Sequence, residues 1–186
     1  MNMNKLKLAL TLIVLCLSLP TMASAYSVSN QTATLVAPNT ILYTMTYTFG
    51  FLNREMHMPI AANRGGDNPD FFAVTYELMD GEQTLTIGES NAIILSSDSD
   101  VTITDGKYHL PKGRNAEFTF VGLLTLEESE LAALETTALQ ITDISLPIFN
   151  EESESVFSVP ADELPEYRTP TIDPQGTPTI SVYLGK

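Results

Sequence analysis

Ile41–Ile60 reads ILYTMTYTFGFLNREMHMPI, and its first half decides the fold class. Ile41, Tyr43, Met45, Tyr47 and Phe49 fall on one side of a period-two pattern, and Leu42, Thr44, Thr46 and Thr48 on the other. Side chains alternate across a strand, so the stretch predicts a β-strand with one buried aromatic face and one polar face. No other stretch alternates so long, which makes this the expected central strand of a β-sheet domain. The aromatic stripe is expected in the core rather than on a ligand platform, because aromatic side chains bury large apolar areas.

Working outward, Thr32–Val36 reads as a first edge strand, and Pro38-Asn39 as the turn into the central one. Downstream, Met56, Met58 and Ile60 alternate with Glu55, His57 and Pro59. Pro59 cannot donate to a sheet ladder, so this strand is expected at an edge. Asn63–Pro69 is a polar loop, and Phe71–Met79 is a strand followed by an Asp80-Gly81 hairpin turn. Thr84–Ile87 and Ala92–Leu95 are short apolar pieces, and Asp98–Asp100 is a turn. Val101–Thr104 and Lys107–Leu110 flank Asp105-Gly106, the strongest hairpin signal in the chain. Ala116–Leu126 and Leu139–Phe149 are strands, and Leu126–Glu135 between them is expected to be a helix started by Thr125 and Glu128 in capping-box spacing. About eight short strands without recurring βα alternation point to an all-β, immunoglobulin-like antiparallel β-sandwich with one short helix between late strands. A small closed β-barrel is the alternative. No family motif is recognisable.

The termini differ from the body. Residues 1–25 read as a secretory signal peptide: Lys5 and Lys7, an apolar run Leu8–Leu19, then Pro20 and Ala23-Ser24-Ala25. The run is short of the roughly 20 residues a spanning helix needs, and Val14-Leu15 before Cys16 do not fit a lipoprotein signal. Residues 26–150 form the expected sandwich domain. Residues 151–186 form an acidic, then proline-rich extension, with Pro160, Pro165, Pro170, Pro174 and Pro178 favouring an extended chain. It ends in the β-prone TISVYL, Thr179–Leu184, which either folds back as a last strand or adds to another sheet edge.

Cys16 is the only cysteine, so the processed chain has no disulfide, thiol nucleophile or cysteine-rich zinc site. Without Lys5 and Lys7 the 9 basic residues fall to 7 against 23 acidic ones, a formal −16. Such a chain repels phosphate backbones and anionic lipid, so nucleic acid and membrane surfaces are not expected partners.

Few residues suggest chemistry. His57 and His109 could pair with a carboxylate at zinc, but their spacing does not require it, and they read as surface residues. Gly88-Glu89-Ser90-Asn91-Ala92 only loosely matches a nucleophile elbow and lacks the strand-to-helix setting. Asp98-Ser99-Asp100 and Asp67-Asn68-Pro69-Asp70 resemble fragments of calcium loops without the full ligand pattern. Glu127, Glu128 and Glu130 read as a solvated helix start, Gly65-Gly66 is not a phosphate loop, and Met56 and Met58 read as core. No catalytic, cofactor-binding or metal residues are therefore assigned, and no cofactor is expected. The sequence reads as an exported, non-catalytic protein of the bacterial periplasm or exterior that binds or assembles with a protein partner at the envelope. The alternatives are a periplasmic hydrolase or metal-dependent enzyme using His57 or His109, and a fibre or matrix subunit joined by strand exchange through TISVYL.

Overall fold

Strand β2, Thr40–Phe51, carries the alternation that opens the sequence reading, and Ile41, Tyr43, Met45, Tyr47 and Phe49 are wholly buried along it. The computed structural model describes residues 24–51, 53–65, 74–149 and 154–179. The signal-peptide run before Ser24, Asp67–Asp70, Phe71-Phe72, most of the acidic run after Phe149 and Ile180–Leu184 lie outside the described residues.

Around β2 lie β1 (Ser24–Ala37), β3 (Glu55–Pro59), β4 (Ala61–Arg64), β5 (Val74–Asp80), β6 (Gln83–Leu85) and β7 (Glu89–Leu95). They are followed by β8 (Thr102–Thr104), β9 (Lys107–Leu110), β10 (Asn115–Thr125), β11 (Ala138–Phe149) and β12 (Glu154–Ser158). The strands are hydrogen-bonded in the order β1-β2-β10-β7-β4-β5-β11-β3-β9-β8, with β12 beside β11 and β6 beside β5. The path is open, so the molecule is an all-β sandwich and not a closed barrel. One layer is β1-β2-β10-β7-β4, and the path folds over at β4 into the layer β5-β11-β3-β9-β8. All pairings are antiparallel except the short one between β4 and β5.

The layers meet through large side chains. Phe120 of β10 packs edge-on against Tyr76 of β5 with ring centroids 5.6 Å apart, and Phe118 meets Tyr108 of β9 at 5.8 Å. Tyr108 Oη donates to Ile94 O at 3.1 Å, and Tyr43 Oη to Thr137 Oγ1 at 3.0 Å, so each phenol keeps a partner in the dry interior. Gly122 leaves room for a core side chain: a Cβ there would lie 2.8 Å from Leu139 Cδ1.

Several local features depart from the sequence reading, each for a physical reason. The first edge strand starts at Ser24 rather than Thr32, because Tyr26 and Val28 extend the inward alternation. A bulge at Asn30, φ 51°, shifts the register between Ser29 and Thr32. β4 occupies the start of the segment read as loop from Asn63. Arg64 fixes it by donating to the carbonyls of Leu85, Ile87 and Gly88 at 2.7–2.9 Å. The helix α1 is only Glu128–Leu131, with its capping box at Glu127 and Glu130, because Thr125 still belongs to β10. Glu130 also accepts from Gly88 N at 3.0 Å, and these backbone donors hold its carboxyl below the usual carboxylate range. Asp105 and Gly106 both have positive φ, 50° and 71°, the backbone that a two-residue turn between β8 and β9 demands.

The proline-rich segment runs antiparallel along the whole of β11. β12 pairs with Ser145–Phe149, a 3₁₀ turn at Leu164–Glu166 interrupts, and Arg168 and Ile172 then bridge to Gln140 and Thr137. Val159, Tyr167 and Thr169 are buried there, and Leu139 N donates to Thr169 Oγ1 at 3.0 Å. Beyond the bridges, Thr179 N donates to Leu35 O of β1 at 3.1 Å, so the segment spans both layers along one side of the sandwich.

Candidate interaction face

The outer face of the layer β1-β2-β10-β7-β4 is made by the residues that alternate with the core. Register places Val121 beside Thr44 and Ile93, Thr119 beside Thr46 and Leu95, and Leu123 beside Leu42 and Asn91. Ala61 of β4 stands next to Ile93. Ile93, Leu95 and Leu123 are 45%, 45% and 43% exposed, unusual for side chains of this size. Thr32 Oγ1 and Thr44 Oγ1 lie 2.6 Å apart, extending a hydroxyl row toward β1. The charged residues at outward positions of these strands are Glu89 and Glu117, which pair with Thr125 and Thr48 at opposite ends of the face. In a chain of formal charge −14, this leaves a neutral face of threonine and aliphatic groups, in which Thr46 itself is buried. At about 4.8 Å between strands and about 3.4 Å per residue, its neutral centre covers roughly 300–500 Å².

The outer face of the other layer is different. His57 and His109 are direct cross-strand partners on β3 and β9, with ring centroids 5.0 Å apart in an edge-to-face arrangement. His109 Nε2 lies 3.2 Å from Glu55 Oε2, and the His57 ring lies 4.8 Å from that of Phe149. Partial burial pushes the His57 imidazole below its ordinary value, as do the nearby His109 and Lys107, while Glu55 and Asp105 oppose them. No local pattern indicates that the two histidines meet, since their pairing depends on the register of strands about 50 residues apart. Among the described residues no group of three histidine, cysteine or acidic side chains is arranged to hold a metal ion.

A third feature lies on the side of the sandwich where β1 and β12, each paired to one strand among the described residues, run near one another. There an open cavity of about 480 Å³ is lined by Tyr26, Phe51, Arg54, Ile148, Ser155 and Phe157, among others. Phe157 reaches across from β12 to Phe51 and Tyr26, with centroids 5.0 and 5.5 Å away. Arg54 donates to Ser155 Oγ and sets a cation at the edge of this aromatic lining.

The remaining sequence candidates have local structural work. Ser90 lies in β7, and its hydroxyl is 3.0 Å from Tyr76 Oη rather than near a histidine. Asp98 accepts from Asp100 N at 2.9 Å, and the Asp100 carboxylate pairs with Arg114 at 3.4 Å, so this turn offers its acids to protein groups. Glu127 and Glu130 cap α1, Gly65 N donates to Tyr76 O at 2.7 Å, and Met56 and Met58 are wholly buried. The neutral face was the feature the sequence reading passed over. Its signal was present in the threonines and aliphatic residues at the outward positions of β2, β7 and β10.

No family model and no curated protein matches this chain. Among solved structures, the Iho670 flagellar-like filament aligns with 84% of this chain and 93% of that one, at 9% identity and a TM-score of 0.13, too low to establish a common fold.

Proposed function

We propose that this is an exported, non-catalytic β-sandwich that binds or assembles with protein partners at the cell envelope, using its neutral outer face. The observation that carries this reading is the contiguous exposure of Ile93, Leu95 and Leu123 on a face whose charges are confined to its ends. A surface exposed only to water gains nothing from large aliphatic groups, whereas a contact surface gains from desolvating them. The hydrolase reading has less behind it: Ser90 is engaged by Tyr76, and the histidines stand on the opposite face with Glu55 and Lys107.

The test is site-specific photo-cross-linking in the cells that make the protein, with the cross-linker at position 93 or 123 and, as control, at position 107. Discrete adducts are expected from 93 and 123 and not from 107. Ile93→Thr with Leu123→Thr should remove them while changing stability by no more than about 0.5 kcal/mol per site, the usual scale for surface changes. Equal labelling at all three positions, or none at 93 and 123, would overturn the reading.

A further inference from the structure

We infer that one such partner, met at a site apart from the neutral face, is a second copy of this chain, whose segment Ile180–Leu184 enters the cavity between β1 and β12 and pairs with one of those strand edges. The inference rests on the binding-and-assembly reading above and names one partner. Three observations carry it.

The first is the cavity. It opens beside β1 and β12, each of which has one paired neighbour among the described residues, and its lining is largely aromatic and aliphatic. An extended chain meets such a site with main-chain hydrogen bonds at the edge and alternate side chains in the pocket. At about 480 Å³ it has room for several side chains.

The second is the segment. Ile180, Val182 and Leu184 alternate with Ser181 and Tyr183, a strand pattern that would present three aliphatic groups to one side. No acidic residue follows Asp173, so the segment approaches a chain of formal charge −14 without like-charge repulsion.

The third is reach, which decides between the chain's own cavity and a neighbour's. The extension climbs β1 in the direction of β1 itself: Glu163 Oε1 accepts from Tyr26 Oη, Glu166 O from Gln31 Nε2, and Leu35 O from Thr179 N. Tyr26, at the cavity, is therefore nine residues of β1 behind Leu35, roughly 27–30 Å at about 3.3 Å per residue. Leu184 is five residues beyond Thr179 and extends at most about 18 Å from it. Ile180–Leu184 cannot fill the cavity of its own chain, and a neighbour's cavity has no such constraint.

The experiment is sedimentation of the purified chain from Tyr26 over a wide concentration range, beside two variants. One ends at Thr179 and keeps an empty cavity. The other, Ser155→Phe, fills the cavity and keeps the segment. The full chain is expected to form concentration-dependent oligomers, and each variant alone to be monomeric. An equimolar mixture of the two should form a heterodimer, because one supplies the segment and the other the cavity. A synthetic Thr177–Lys186 peptide in excess should dissolve the full-chain oligomer without any substitution, which keeps the test independent of how either variant folds. A monomeric full chain, oligomers that survive the truncation, or peptide-resistant oligomers would overturn the inference. Failure at the neutral face reads out separately, as lost cross-linking at 93 and 123 with the complementation intact.

Discussion

The two outer faces of this sandwich share one core and carry opposite chemistry. Over β2, β10 and β7 the outward positions are mostly threonine, valine, isoleucine and leucine, with Glu89 and Glu117 at the ends. Over β3 and β9 they hold Glu55, His57, Lys107 and His109. Water treats both as solvated sheet faces, yet only the second is built from groups that water favours. The difference teaches that a period-two pattern identifies the buried side of a strand more surely than it identifies the purpose of the exposed side. Thr44 and Thr46 look like ordinary polar partners of an aromatic stripe until register lays them beside Val121 and Thr119, whose neighbours on the far side are Ile93 and Leu95.

The largest expected effect lies beneath both faces. Phe120→Ala removes a wholly buried ring from between the layers, and should cost about 3–5 kcal/mol in denaturant unfolding. Both faces should lose order together. If hydrogen exchange rose under one face alone, the faces would rest on separate cores and the comparison would have to be redrawn.

Next is the fold-over between the layers. Arg64 sits at β4, where the path leaves the neutral layer, and satisfies three carbonyls between Leu85 and Gly88. Arg64→Met should cost about 1–3 kcal/mol, since acceptors in a part-buried setting lose a charged donor. Its exchange signature should concentrate in β4, β6 and the start of β7. Unchanged stability would mean that the crossing does not depend on this guanidinium.

The smallest effect belongs to the titratable face alone. His57 is held below its unfolded pKa, so the unfolded chain takes up the proton first. The contribution of His57 is fully present above about pH 6.5, declines as the pH falls below it, and levels off below the folded pKa. His57→Gln should flatten that limb of a stability–pH curve, and Ile93→Thr should leave it unchanged. A wild-type curve rising on acidification through this window would reverse the assigned sign.

Much of the fold was legible because it rests on local signals. The β2 alternation, the Asp105-Gly106 turn and the small helix after β10 are all written in contiguous residues. Other elements depend on distant partners. β4 has polar residues at Asn63 and Arg64, and becomes a strand only because Arg64 finds carbonyls about 20 residues away. The prolines of the extension suggested an extended chain, but not that Tyr167 and Thr169 would bind β11, and Ile172 the preceding Thr137, through their backbones. The site was less legible still, since a neutral face, a histidine pair and a cavity between strand edges all depend on register.

The seam formed by the extension has a consequence for how the protein is made. Tyr26 and Glu163 are 137 residues apart, and the contact between Leu35 and Thr179 closes later still. Synthesis delivers β1 well before its covering segment, so a growing chain cannot close this side of the sandwich until Thr179 has been made.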